Sequence, residues 1–189
     1  GLFTFQFPEH VVIQECNRYC LCDKEQCQFS VAQRTRKHEL EVFETESCGW
    51  GVRTAQDLKR GEVLGMYMGE FITREEAGKR QGNYVFDLDA EERREDLSLA
   101  GKFSVDAENC GNWTRFINNS CDPNLIVRTV NFDAPAKQHP GRLIFICNRD
   151  IEAEEELSFT YTPTHAVSAE DIEMKPRCRC GADNCRGWY

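Results

Sequence analysis

No stretch of this 189-residue chain approaches the roughly 18 consecutive apolar residues of a membrane-spanning helix, although 40% of the chain is hydrophobic. A secretory leader is missing as well: Leu2 to Pro8 is short, lacks a basic flank and does not end in a cleavage pattern. There is no internal repeat, no Gly-rich phosphate loop and no dinucleotide fingerprint, which removes the commonest nucleotide-binding readings. Basic charge is in deficit. Thirty-two acids against 23 bases leave a net charge of −9, the wrong sign for a surface that tracks phosphates. An acidic body attracts a basic peptide instead, and otherwise serves solubility. The chain begins with Gly1 rather than Met, which reads as a fragment of a longer protein with upstream domains absent. Its length suffices for one domain with a respectable core and small appendages.

What the chain has in excess is cysteine, eleven in all. The number is odd, and Cys20-x-Cys22 and Cys178-x-Cys180 suit disulfides poorly because neighbouring thiols point apart. Without a secretory leader, zinc is the favoured explanation. The tail Cys178-Arg-Cys180-Gly-Ala-Asp-Asn-Cys185 supplies three thiolates, one short of a closed structural site. Cys121, in Arg115-Phe-Ile-Asn118-Asn119-Ser-Cys121-Asp-Pro-Asn124, is the candidate fourth, which would tie the tail to the centre of the domain and let it wall an active site. Near the N-terminus, Cys16-x3-Cys20-x-Cys22-x4-Cys27 repeats the tail spacing and offers four thiolates for a second zinc. That segment is too short and polar to hold a core without metal. Cys48, Cys110 and Cys147 are left as buried or partly exposed thiols, and His10 and His38 as surface histidines.

Between the cysteine clusters the chain reads as short strands. Leu40 and Val42 alternate with acids, and Val63 to Ile72 is an apolar run with glycines at 65 and 69. Thr73-x-x-Glu76 is a capping box opening a short helix that runs to Lys79 or Arg80. Tyr84, Phe86 and Leu88 alternate with Val85, Asp87 and Asp89. Leu125–Val130 and the continuous run Leu143–Cys147 are further strand candidates. Residues 90–100 read as a solvated charged loop, and 163–176 as a flexible linker to the tail.

Four blocks occur in order before the cysteine tail: Gly49-Trp50-Gly51-Val52, Tyr84-Val-Phe-Asp-Leu-Asp89, Arg115 to Cys121, and Glu156-Leu-Ser-Phe159-Thr-Tyr161. Together they resemble a SET-domain lysine methyltransferase over nearly the whole chain. The resemblance implies a mainly β fold with short helices, a SET-domain β-fold with a threaded, pseudoknot-like C-terminal segment, flanked by small zinc modules. It divides the chain into a partial pre-SET module over residues 1–36, a SET domain over 37–165, and a linker with a post-SET module over 166–189. Ile13-Gln-Glu-Cys-Asn-x-x-Cys-x-Cys, then Val31-x-Gln33-Arg34, is similar to the suppressor-of-variegation type, which methylates lysine 9 of histone H3.

From the resemblance follow two structural zinc ions, S-adenosylmethionine as cofactor, a basic histone H3 tail peptide as partner, and a nuclear, chromatin-bound setting in heterochromatin silencing. A larger chromatin complex fits the same reading, and neither a nucleic-acid site nor a membrane is implied. Tyr161 is expected to point its hydroxyl toward the amine and the transferring methyl, with Tyr84 and Phe159 lining the lysine channel. Tyr67 is a weaker candidate for that pocket. Cys48, Gly49 and Trp50 are expected against the methionine part of the cofactor, Arg115, Phe116, Asn118 and Asn119 around its adenosine, with Tyr84 also near and Trp188 over the adenine. Phe rather than Tyr at 159 leaves room for a di- or trimethyl product. Departures stand beside these matches. Asn119 replaces the family's His, Thr160 its Asp, Cys110 its aromatic residue, and the first five cysteines of a full pre-SET are missing. Asn119 and the curtailed pre-SET keep open a catalytically weak or inactive SET-domain chromatin scaffold. Enzymes with an AWS module, which include those acting on H3 lysine 36, are the nearest competing resemblance, although their cysteine spacing fits less well. The expected effect of Asn119 is weaker cofactor binding, because an amide replaces a packed ring.

Overall fold

A computed structural model describes residues 2–3, 11–23, 25–80, 82–88, 103–133, 141–162 and 175–189. The charged loop expected at 90–100, Asp89, His10 and most of the 163–176 linker lie outside the described residues. The described chain packs as two units, one of Gly1–Lys37, Gly61–Arg115 and Val127–Ile146, the other of His38–Arg60, Phe116–Ile126 and Cys147–Tyr189. No helix among the described residues is long and apolar enough to cross a membrane.

The first unit is built on two sheets. In one, β1 (Ile13–Gln14) runs parallel to β9 (Leu125–Asn131), followed by β10 (Arg142–Cys147) and then β4 (Val63–Met66). β10 is antiparallel to β4, and its residues from Leu143 to Cys147 are all buried, as a continuous apolar run requires. The other sheet is antiparallel, with β7 (Phe103–Asp106) between β5 (Glu70–Thr73) and β6 (Val85–Asp87). The run Val63–Ile72 therefore does not form one strand but feeds two sheets. The break falls at Gly69, where a Cβ would lie 2.4 Å from the Asp106 carbonyl oxygen. Only glycine lets the backbone cross there.

After β5 the capping box forms in full. The Thr73 side chain accepts the Glu76 N–H while Glu76 accepts the Thr73 N–H, and a single turn, α1 (Arg74–Ala77), ends at Gly78. Two further turn bonds, from the N–H groups of Lys79 and Arg80, carry the chain to Arg80. Arg80 then bridges Glu70 at 2.7 Å and the buried Asp106 at 2.5 Å. Burial pushes the Asp106 carboxyl up, but the Glu108 N–H and the Arg80 guanidinium outweigh it and hold the group below its usual 3.8. A second buried carboxylate, Glu15, accepts the N–H groups of Val31 and Ala32, both at 2.8 Å, and the Gln33 amide at 3.1 Å. It holds the exit of the cysteine segment against β1.

In the second unit β2 (Leu40–Glu44) and β3 (Trp50–Thr54) form a hairpin with Leu40 opposite Thr54. The alternation seen in the sequence does make a strand, although Val42 remains 40% exposed. β8 (Asn118–Asn119) pairs in parallel with β11 (Ser158–Phe159). Buried Asn124 holds the approach to β11. Its Nδ2 donates to Glu155 Oε1 at 2.9 Å and to the Glu156 carbonyl at 2.8 Å, and its Oδ1 accepts the Ser158 N–H at 2.9 Å. With every polar atom of this amide bonded, the segment leading to Phe159 and Tyr161 has one register.

Candidate functional site

Candidate residues collect at four places, two in the second unit and two in the first. At the first, the parallel pair β8–β11 sets Asn119 opposite Phe159, and the Ser120 N–H donates to the Phe159 carbonyl at 3.0 Å. Two residues on, Tyr161 donates its hydroxyl hydrogen to the Ile117 carbonyl at 2.8 Å. That bond orients the phenol oxygen's lone pairs. The Tyr161 ring lies 4.8 Å from Phe159 and 5.4 Å, edge-on, from Tyr189. Tyr161 as a whole is 38% exposed, although its hydroxyl is turned to the carbonyl of buried Ile117.

The turn before β3 belongs to the same unit. Cys48 donates its N–H to Thr45 Oγ1, Gly49 takes φ +72°, and Trp50 is 57% exposed. The Asn118 amide ties this turn to the rest, donating to the Trp50 carbonyl at 3.1 Å and to Glu156 Oε1 at 2.8 Å. A Cβ at Gly51 would lie 2.7 Å from that same Glu156 oxygen. Gly51 is therefore needed for close approach, while Gly49 supplies the left-handed turn. Glu156 escaped the residue-by-residue reading. Its place in the fourth motif block was the available signal.

The tail cluster comes next. The sulfurs of Cys121, Cys178, Cys180 and Cys185 all lie within 4.8 Å of one another, and Cys121 and Cys178 are 3.8 Å apart. A zinc tetrahedron with metal–sulfur bonds near 2.3 Å has edges of about 3.8 Å, so these donors fit that ion. Backbone N–H groups of Arg186 and Gly187 donate to Cys121 and Cys185 sulfurs, each at 3.4 Å. Cys180 is partly buried, which pushes its thiol up, but backbone N–H groups of Cys121 and Ala182 bring it down to about 6. Buried Cys178 is pushed up to about 12, first by burial. Thiols this crowded need a cation to ionise together. Trp188 lies under the Arg186 guanidinium, 4.6 Å from the ring centre.

The N-terminal cluster differs from the expectation. Cys16, Cys22 and Cys27 come within 4.8 Å of one another, with Cys16 and Cys27 3.7 Å apart. Cys20, the expected fourth ligand, stands outside the group. Its N–H closes a turn on the Asn17 carbonyl, and its thiol faces Asn17 Oδ1 at 3.9 Å while still interacting with Cys16. Three thiolates suit a zinc ion whose fourth position is filled from elsewhere. Of the three leftover cysteines, Cys147 is buried and Cys48 and Cys110 are exposed, and none joins a metal cluster among the described residues.

The aromatic group of the first unit centres on Tyr67, which is 8% exposed. Its hydroxyl donates to the Tyr84 carbonyl at 2.7 Å, and its ring meets Phe86 edge-on at 5.5 Å. Burial, the largest cause, pushes the Tyr67 phenol well above its usual range, so it stays a hydrogen donor. The Arg115 guanidinium stacks 4.1 Å over the Tyr84 ring and is itself held by the carbonyls of Ala107 and Glu108. Phe116 is half-buried at the end of the same 3-10 turn, Trp113–Phe116.

Comparison with known proteins matches residues 49–162 to the SET domain model. The chain is 44% identical over 186 residues to the histone-lysine N-methyltransferase Su(var)3-9 of Drosophila pseudoobscura pseudoobscura, covering 92% of this chain and 28% of that protein. Against the H3 lysine-9 specific histone-lysine N-methyltransferase of Schizosaccharomyces pombe it is 36% identical over 197 residues, covering 94% of this chain and 38% of that one. The structure of KRYPTONITE in complex with mCHH DNA, H3(1-15) peptide and SAH aligns with a TM-score of 0.76 at 28% identity. That alignment covers 94% of this chain and 34% of that one. The chain thus spans 28% and 38% of the length of the two relatives.

Proposed function

This chain belongs to the SET-domain family, and we propose that it methylates the histone H3 tail, at lysine 9, with S-adenosylmethionine as methyl donor. The observation that carries this is the similarity along nearly the whole chain to an H3 lysine-9 specific enzyme. The arrangement around Tyr161 gives that similarity chemical content. The peptide and SAH seen with KRYPTONITE support the same substrate and cofactor here, as does the net charge of −9, which favours a basic tail. We further propose di- or trimethyllysine as product and a nuclear role in heterochromatin. The division into residues 1–36, 37–165 and 166–189 as pre-SET, SET and post-SET modules belongs to the same reading.

Bound S-adenosylmethionine supplies a methyl group made electrophilic by its sulfonium. The protein has to align that methyl with a neutral lysine amine and keep water away, and alignment alone removes several kcal/mol of barrier. Tyr161 takes the central role. With its hydrogen committed to the Ile117 carbonyl, its oxygen has lone pairs free that would accept from the amine hydrogens and stabilise the polarised methyl. Phe159 is assigned to the lysine channel, where desolvation lowers the amine pKa and favours the nucleophilic form, and Tyr84 carries that assignment from the family resemblance alone. Cys48, Gly49, Trp50, Arg115, Phe116, Asn118, Asn119 and Trp188 are assigned to the cofactor. Phe159 offers no hydroxyl to hold a water in the space that a second and third methyl need.

The test is methylation of H3 tail peptides with radiolabelled S-adenosylmethionine and protein carrying its zinc. Label should enter the native peptide and be lost when lysine 9 is replaced by alanine. Equal labelling of both peptides would move the site to another lysine, and no labelling of any H3 tail would overturn the assignment.

A further inference from the structure

Asn119 stands where the family pattern has His, and its side chain makes two bonds in opposite directions. Its Oδ1 accepts the Tyr161 backbone N–H at 3.0 Å, and its Nδ2 donates to Cys178 Sγ at 3.2 Å. The orientation of the amide is forced. A backbone N–H can only donate, so the oxygen must face Tyr161, and the NH₂ is left facing the sulfur. The backbone of Asn119 is pinned independently by the β8–β11 pairing and by the Ser120 N–H to the Phe159 carbonyl. At the neighbouring departure, Thr160 Oγ1 donates across the same strand pair to the Ser120 carbonyl at 3.1 Å. Cys178 is buried, and the Asn119 N–H is directed at its sulfur from inside the second unit.

We propose that Asn119 is a positioning residue that ties the tail thiolate cluster to the backbone of Tyr161, so that filling the cluster with metal fixes Tyr161 in place. The part of this concerning catalysis rests on the methyltransferase reading; the coupling itself does not. A metal held by the four thiolates would keep Cys178 in place; Cys178 holds the Asn119 amide, and the amide holds the Tyr161 N–H two residues from Phe159. Without metal, Cys178 is no longer held in a tetrahedron, and the amide loses one of its two fixed anchors.

The test uses the whole chain and two readouts besides activity. In the wild type, a chelator that strips the tail site should speed hydrogen exchange of the Tyr161 amide at least about tenfold. The amides of Val105 and Ile144, in the sheets of the first unit, should stay protected. In Asn119→Asp the acceptor for Tyr161 is kept while a carboxylate replaces the donor to sulfur. Metal should leave its tail site about tenfold faster, the lower end of the effect of removing an outer-sphere donor. In the cobalt-substituted protein the sulfur-to-metal absorption band should move to longer wavelength, because the sulfur has lost a hydrogen bond. Asn119→His, whose neutral ring still offers one donor and one acceptor, should restore both readouts. Unchanged Tyr161 exchange after chelation, or wild-type metal release from a folded Asn119→Asp, would overturn the proposal even if the enzyme is active. Wild type that transfers no methyl group but passes both readouts would instead overturn the methyltransferase reading and support the coupling.

Discussion

Replacing Tyr161 by Phe removes one oxygen and one hydrogen bond and leaves the ring stack intact. The lost bond is the 2.8 Å donation to the Ile117 carbonyl, and Ile117 is 1% exposed, so water does not readily take the vacant acceptor site. An acceptor stranded in that way costs about 1–2 kcal/mol. For a chain of this length that amounts to a drop in Tm of about 2–8 °C. The contacts with Phe159 at 4.8 Å and Tyr189 at 5.4 Å need no hydroxyl, so the backbone at 159–161 keeps its path. Cofactor affinity, measured by calorimetry, should therefore stay within about threefold of wild type, less than 1 kcal/mol. Turnover carries the loss. A positioned polar group acting in the transition state is worth about a hundredfold or more, close to 3 kcal/mol. Single-turnover methylation of an H3 peptide at saturating cofactor isolates that step, with circular dichroism as a check on folding. If Tyr161→Phe folds, binds cofactor and turns over within about threefold of wild type, Tyr161 does not act on the reacting groups.

Four other outcomes follow from the geometry. Gly51→Ala puts a Cβ 2.7 Å from both Glu156 Oε1 and Thr45 Cγ2, and should cost about 1–3 kcal/mol in thermal unfolding while weakening cofactor binding as Asn118 loses Glu156. Fresh protein should carry two zinc ions, and graded chelation followed by metal analysis should remove the three-thiolate N-terminal ion before the four-thiolate tail ion. Phe159→Tyr should shift mass-spectrometric products toward monomethyllysine; an unchanged product ratio would remove Phe159 from control of product. Asp106 titrates below its usual 3.8 in the folded protein, so its contribution is present above that value and lost as pH falls through the folded pKa. Asp106→Asn should accordingly destabilise the protein by about 2 kcal/mol at pH 7, and urea titrations should find the gap closing below about pH 4.

Legibility varied from place to place for physical reasons. The capping box at Thr73 and Glu76 was readable because every group it needs lies within four residues. The buried run of β10 was readable because apolar residues without period have nowhere else to go. β7 was not recognised: it is four residues long and follows the charged segment, and its role comes from being paired on both sides. The division of Val63–Ile72 was equally hidden, since it depends on the Asp106 carbonyl crossing at Gly69 from 37 positions away in sequence. Glu15 and Asn124 look like ordinary surface residues in sequence, and only their own burial beside the groups they bond makes them structural.

The sequence by itself determined the family and the tail cluster. Ligand spacing and motif order survive in one dimension, and four sulfurs that must share an ion leave a readable pattern. Tertiary structure alone decided that Cys20 falls outside the close group of Cys16, Cys22 and Cys27, and that Asn119 serves Cys178 and Tyr161 at once. Both outcomes depend on directions of side chains around fixed backbone donors. A hydrogen bond's direction is set by atoms brought together in folding, and residue order does not record it.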